Sequence, residues 1–180
     1  MAYSCEVECF LYFCICKSKN PMEKVTQIAS YVCSRYQCEF GVRIDEMKLH
    51  KLLYLLQREA MIRTGEPMFD ATFQAWKYGP VIPEIRALYK SNSLDETLSS
   101  VAIEHYKDVF DYVFAEYAGK RSFVLSNITH GDYSWRHARE GCSKYADSQK
   151  PMSLEDIKID AENIKLRREL LRQYRLVNGV

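Results

Sequence analysis

The densest gathering of chemistry-capable side chains lies in NITHGDYSWRHAR, residues 127–139, which holds Thr129, His130, Asp132, Trp135, His137 and Arg139. With Cys142 close behind, the residue types suit nucleophilic catalysis: His130 as base, Asp132 as its orienter, Cys142 as nucleophile. Members of such a triad normally meet in space from distant segments, so closeness along the chain does not supply the geometry. The competing reading is structural, with Thr129 and His130 ending one short helix and Trp135 anchoring the next in the core. As zinc ligands, His130, His137 and Cys142 lack a fourth partner at a familiar spacing.

Two other segments have functional potential. In FQAWKYGPVIPEI, residues 73–85, Trp76 and Tyr78 flank Lys77 ahead of Gly79-Pro80. Such an aromatic pair could form a platform for a peptide or a ring; otherwise both are core anchors and Gly79-Pro80 is a turn. Near the C-terminus, Lys165, Arg167, Arg168, Arg172 and Arg175 outnumber Glu162 and Glu169. This is the only basic concentration, suited to nucleic acid or an acidic protein, or else a solvated face whose long stems cover apolar surface. The sequence has no phosphate-binding glycine loop, GxSxG elbow or HExxH helix, so no catalytic, cofactor or metal residues are assigned.

The chain has 180 residues, net charge +1, 47% hydrophobic and 27% charged residues. Those values suit one globular domain and exclude wholesale disorder and a globally basic nucleic-acid coat. No run of roughly 18 apolar residues is present, so no membrane-spanning helix is expected. Of seven cysteines, Cys5, Cys9, Cys14 and Cys16 crowd the start, leaving Cys33, Cys38 and Cys142. An odd, clustered set makes a poor disulfide framework, and Cys14-Ile15-Cys16 is too tight for a second zinc pair. Glu6 and Glu8 argue against a signal peptide, and the apolar FLYFCIC stretch would be an aggregation hazard if exposed. The preferred reading is that residues 1–21 are a start-site artefact or extension before Met22. Without them the charge stays at +1 and three cysteines remain, as suits a reducing cytoplasm.

The elements that must position these residues are mainly helical. Val25, Ile28, Ala29, Val32 and Tyr36 share one helix face, and that helix should end near Cys38, before Gly41. Asp45 is a plausible N-cap for a second helix with Leu49, Leu52, Leu53, Leu56 and Ala60 as its apolar stripe and Gly65 as its left-handed terminator. Phe69, and then Phe73, Ala75 and Trp76, read as two extended pieces joined by a turn at Asp70-Ala71-Thr72. Pro83 opens a short helix through Tyr89, and residues 91–100 form a polar loop. One longer helix should run from Ala102 through Tyr117 to Gly119. Ser122 caps a short helix bearing Leu125 and Ile128, and Asp132 or Ser134 caps another bearing Trp135 and Ala138. After a loop at 141–151, Ser153 and Asp156 start a final helix whose buried side is Leu166, Leu170, Leu171, Tyr174 and Val177. The expectation is a mainly α fold, a single compact domain over 22–180 with about six to seven helices and a small β-hairpin.

Four motifs in this order resemble the Panacea domain of the SocA-like antitoxin family, also known as phage-associated proteins. The family pattern begins with a helix like K-L-x-K-L-L-Y, met by Lys48, Leu49, Lys51, Leu52, Leu53 and Tyr54. G-x-P-(L/M)-F follows at Gly65, Pro67, Met68 and Phe69, then A-W-x-Y-G-P-V-x-P at Ala75, Trp76, Tyr78, Gly79, Pro80, Val81 and Pro83. The last, L-T-H-x-x-x-x-W, is met by Thr129, His130 and Trp135, with Ile128 where leucine is commoner. The resemblance covers roughly residues 22–165. It implies a cytoplasmic antitoxin that binds a cognate protein toxin, with no catalytic residues, cofactor or metal. One branch of the family is a protease adapter that delivers its toxin for degradation. A helical nucleic-acid-binding regulator is the remaining alternative, though no nucleic acid or membrane is an expected partner. The motif residues are expected to build the scaffold or partner surface. Toxin specificity is expected in the 91–100 and 141–151 loops and on Lys165, Arg168, Arg172 and Arg175, with charge reversal at Arg168 and Arg172 sparing stability.

Overall fold

The computed structural model describes residues 22–143 and 146–179, so the expectations for the cysteine-rich segment 1–21 lie outside the described residues. Among the described residues are eight α-helices and one two-stranded hairpin. The helices are α1 (Val25–Phe40), α2 (Glu46–Thr64), α3 (Pro83–Ser91), α4 (Ser100–His105), α5 (Lys107–Val113), α6 (Ser122–His130), α7 (Tyr133–Ala138) and α8 (Leu154–Asn178). The strands are β1 (Gln74–Trp76) and β2 (Gly79–Val81).

The fold is wrapped around α2. Asp45 caps it, its carboxylate accepting from the Lys48 amide at 2.9 Å, and Gly65 ends it at φ 79°. The stripe Leu49, Leu52, Leu53, Leu56 and Ala60 is fully buried, but so is the rest of the helix from Lys48 to Ile62. Helices α1, α5, α6 and α8 and strand β2 all pack on it. A helix enclosed on every side must hydrogen-bond its own polar side chains internally, because a buried unpaired polar group costs several kilocalories. That requirement shapes the site described below.

Helix α1 presents Val25, Ile28, Ala29, Val32 and Tyr36 to the core as expected. It runs to Phe40, past Cys38, because Gly41 supplies the left-handed cap at φ 70°. The hairpin turns elsewhere than at Asp70–Thr72. Lys77 and Tyr78 form a two-residue connection, pairing Trp76 with Gly79 and Gln74 with Val81, so Gly79-Pro80 lies in a strand and not in a turn. Phe69 instead bridges Glu23, while the outer edge of β1 is covered by Lys150–Met152 through Ala75 N to Lys150 O (2.9 Å) and Met152 N to Phe73 O (2.8 Å).

The expected long helix from Ala102 is broken. Tyr106 leaves helical geometry at φ −100°, ψ 12°, and α5 passes into a π-turn over Phe114–Ala118. Its aromatic side still faces inward, with Tyr106, Phe110 and Phe114 buried. Ser122 is the first helical residue of α6 and not its cap, since its hydroxyl donates to the Asp45 carboxylate at 2.7 Å. Asp132 precedes α7 but makes no cap bond; Asp160 of α8 accepts from the Tyr133 and Ser134 amides at 2.7 and 2.9 Å.

The largest departure is at the C-terminus. Leu166, Leu170, Leu171, Tyr174 and Val177 are 49–85% exposed, not buried. Ile157, Asp160 and Ala161 are the buried residues of α8, Ile164 and Arg168 are partly covered, and beyond Arg168 the helix overhangs the body.

Candidate functional site

The motif on α2 places Lys48, Lys51 and Tyr54 in the interior, and each meets a partner from later in the chain. The Lys48 ammonium donates to Tyr36 Oη at 2.8 Å and to the Ala118 carbonyl at 3.0 Å, an orphan acceptor at a helix end. The Lys51 ammonium donates to the Pro80 carbonyl at 3.0 Å. Gly79 is required beside it: φ is 106°, and a Cβ there would lie 2.5 Å from Lys51 Cε and 2.7 Å from Thr129 Oγ1. Motif residues from α2, β2 and α6 thus close on one another.

Tyr54 is fully enclosed and donates to the Asp132 carboxylate at 2.8 Å, with Ser134 Oγ at 3.0 Å. Arg58 pairs with the same carboxylate. Burial raises the Asp132 pKa, against the lowering influence of Arg58 and Tyr54. Gln57 binds the G-x-P-M-F segment: its Oε1 accepts from the Met68 and Phe69 amides, and its Nε2 donates to the Phe69 carbonyl at 2.9 Å. Glu59 is nearly sealed, with its side chain 4% exposed, and receives both arms of Arg168 at 3.0 and 2.9 Å. Arg168 also donates to Tyr112 Oη at 2.8 Å.

The 127–139 segment does not assemble the triad. The Asp132 carboxylate is engaged by Tyr54 and Arg58, while His130 stacks on Trp135 with ring centroids 3.9 Å apart. Burial, with Lys51 and Arg139 nearby, lowers the His130 pKa to about 4. Thr129 and His130 do end α6. Trp135 is half-buried and donates its indole N–H to the Trp76 carbonyl at 3.0 Å, tying α7 to β1. His137 pairs with Asp156 at 2.7 Å, which takes the Asp156 carboxylate away from a capping box with Ser153. Among the described residues, no three His, Cys, Asp or Glu side chains are grouped to hold a metal.

The aromatic pair of the hairpin divides. Trp76 is partly buried under Arg86, whereas Tyr78 is 52% exposed. Leu52, Phe69 and Pro80 are core residues, Pro67 is half-buried, and Pro83 opens α3 on the surface. Of the basic candidates, Arg168 is a structural ion-pair partner, so reversing its charge cannot spare stability. Lys165, Arg172 and Arg175 stand in solvent. Arg168, Leu171, Arg172, Arg175 and Leu176, spaced i, i+3, i+4, i+7, i+8, line a hollow of about 480 Å³ on the underside of the overhang.

The sequence reading missed Gln57, Arg58, Glu59 and Asp160. The signal for the first three is a polar Gln-Arg-Glu run directly after the apolar Leu52–Leu56 stretch, which in an enclosed helix demands hydrogen-bonding and oppositely charged partners; Asp160 has no such signal.

Lys51 gives the site a titration. Burial pushes its ammonium down to about 7, partly offset by Asp45 and Glu46. An unfolded lysine titrates at about 10.4, so between the two values the unfolded chain binds the additional proton. Stability is therefore expected to climb as pH rises from about 7 toward 10. Lys51→Met should flatten that rise in urea midpoints taken at successive pH values. Parallel profiles for the two proteins would show that Lys51 keeps an ordinary pKa.

Residues 49–136 match the family model described as "Antitoxin SocA-like, Panacea domain". Antitoxin SocA of Caulobacter vibrioides is 33% identical over 51 residues, 28% of this chain and 27% of that protein, so the match spans about a quarter of the relative's length. No solved structure gives a significant match. The matched residues hold most of α2, the hairpin, α6 and the Asp132–Trp135 corner, where the interior bonds converge. Residues 49–136 are a SocA-like Panacea domain.

Proposed function

We propose that the protein is a cytoplasmic antitoxin that neutralises a cognate protein toxin by binding it, with no catalysis of its own. The observation that carries this reading is the Panacea-domain match together with the likeness to Antitoxin SocA. The placement of the motif residues supports it. Lys48, Lys51, Tyr54, Gly79 and Thr129 are built into the interior, where they hold the fold. The overhang of α8 instead leaves apolar and cationic groups uncovered. A stable protein interface needs about 800 Å² per side and a few anchoring side chains, often arginine or aromatic. The hollow beneath α8, edged by Arg172 and Arg175, suits an apolar side chain flanked by carboxylates. The loops around 91–100 and 141–151 are the other expected contributors to specificity.

The test is co-expression of the full chain with the product of the neighbouring open reading frame. Growth inhibition by that product alone, relieved by the full chain while the toxin persists at its original level, is the expected result. Relief accompanied by disappearance of the toxin would replace blocking by proteolytic delivery. Absence of relief for a toxic neighbour would overturn the reading.

A further inference from the structure

The outer face of α8, opposite the hollow, has a pattern of its own. Ile159, Leu166, Leu170, Tyr174 and Val177 lie at i, i+7, i+11, i+15 and i+18 and are 42–85% exposed. Stepping by alternate fours and threes, residues 159, 163, 166, 170, 173 and 177 trace a heptad seam. Ile159, Leu166 and Gln173 occupy one core position and Asn163, Leu170 and Val177 the other. Ala161 and Arg168 fall at the position opposite the seam, and both face the body: Ala161 is 1% exposed and Arg168 is bonded to Glu59. The seam therefore points away from the rest of the described residues.

We propose that this face pairs with the same face of a second copy, as a parallel two-stranded coiled coil. The argument for a second copy is charge. In a parallel pair, the residue before one core position meets the residue five later on its partner. Here those residues are Glu162 and Arg167, an opposite-charge pair formed twice by symmetry. Both are exposed, and neither has an ion-pair partner among the described residues, whereas Arg168 and Arg172 are each paired within the chain. Asn163 and Gln173 would each meet their own counterparts, two polar layers within an otherwise apolar seam that fix register. An antiparallel arrangement would instead set Arg167 against Arg167 and Glu169 against Glu169. The hollow lined by Leu171 and Arg172 lies on the other side of the helix, so pairing leaves it open. This inference does not depend on the antitoxin reading.

Sedimentation equilibrium of the full chain tests it. The wild-type protein is expected at twice the chain mass of 21.1 kDa. Leu166→Asp with Leu170→Asp should return it to one chain mass with the native circular-dichroism spectrum retained, and its melting temperature should no longer depend on concentration. Arg167→Glu should weaken association roughly tenfold, since it turns two attractions into two repulsions, and adding Glu162→Arg should restore it. A wild-type protein of single-chain mass at every concentration would overturn the proposal, the face then serving another protein or residues 1–21. Dimers that survive the double aspartate change would place the contact elsewhere. Dimers that Arg167→Glu leaves intact or tightens would overturn the parallel pairing.

Discussion

Asp132→Ala is expected to lower the melting temperature by roughly 10 °C. It leaves the Arg58 guanidinium, whose side chain is 5% exposed, without its counter-charge. Breaking one partner of a buried pair costs about 3–5 kcal/mol, and each kcal/mol shifts a domain of this size by about 2–4 °C. Tyr54 also loses an acceptor, although Ser134 remains within reach. Replacing both partners, Arg58→Met with Asp132→Leu, removes the stranded charge and should recover much of the loss. Thermal unfolding of the three proteins by circular dichroism decides the matter. If the double replacement is no better than the single, packing around residue 132 and not an unpaired charge sets the cost.

The second large effect separates two arginines four residues apart. Arg168→Glu sets a carboxylate against the sealed carboxylate of Glu59 and removes the bond to Tyr112. Arg63 still reaches Glu59, and Arg168 is one-third exposed, so the expected loss is about 2–3 kcal/mol. Arg172→Glu, whose partner Glu169 is itself on the surface, should leave the melting temperature unchanged and weaken toxin neutralisation. Melting curves and the co-expression growth assay, run side by side, test both. Equal destabilisation by the two substitutions would contradict the assignment of Arg168 to the core. Full neutralisation by Arg172→Glu would remove the underside of α8 from the proposed toxin interface.

The caps and stripes of α1 and α2 were legible because they are local. Asp45 needs only the amide three residues on, and Gly41 and Gly65 need only their own left-handed conformation. Leu49, Leu52 and Leu53 announced a buried face by spacing alone. What spacing does not reveal is how many neighbours an element has. On α2 the neighbours surround the helix, and Lys51, Gln57, Arg58 and Glu59, which a one-faced helix would leave in water, are interior. On α8 the reverse holds: an apolar stripe at helical period looks the same whether or not a body lies beneath it, and beyond Arg168 the body has ended. The candidate site was similarly half-visible. Its motif residues could be recognised by type, but Asp132 could not be separated from an ordinary cap without Tyr54, 78 residues away, to claim its carboxylate. Asp160, supplying that cap from another helix, has no local signature at all.

The charges enclosed in α2 also set an order of events during synthesis. Arg58 emerges from the ribosome 74 residues before Asp132, and Glu59 emerges 109 residues before Arg168. At translation speeds of about 5–20 residues per second, Glu59 waits roughly 5–20 seconds for Arg168, with only Arg63 to pair it meanwhile. A chain stopped short of α8 would leave Glu59 with the partly exposed Arg63 alone and would hold α2's face toward α8 in water. The domain is thus built to fold only when nearly complete, and truncated or stalled chains should be the first that cellular proteases remove.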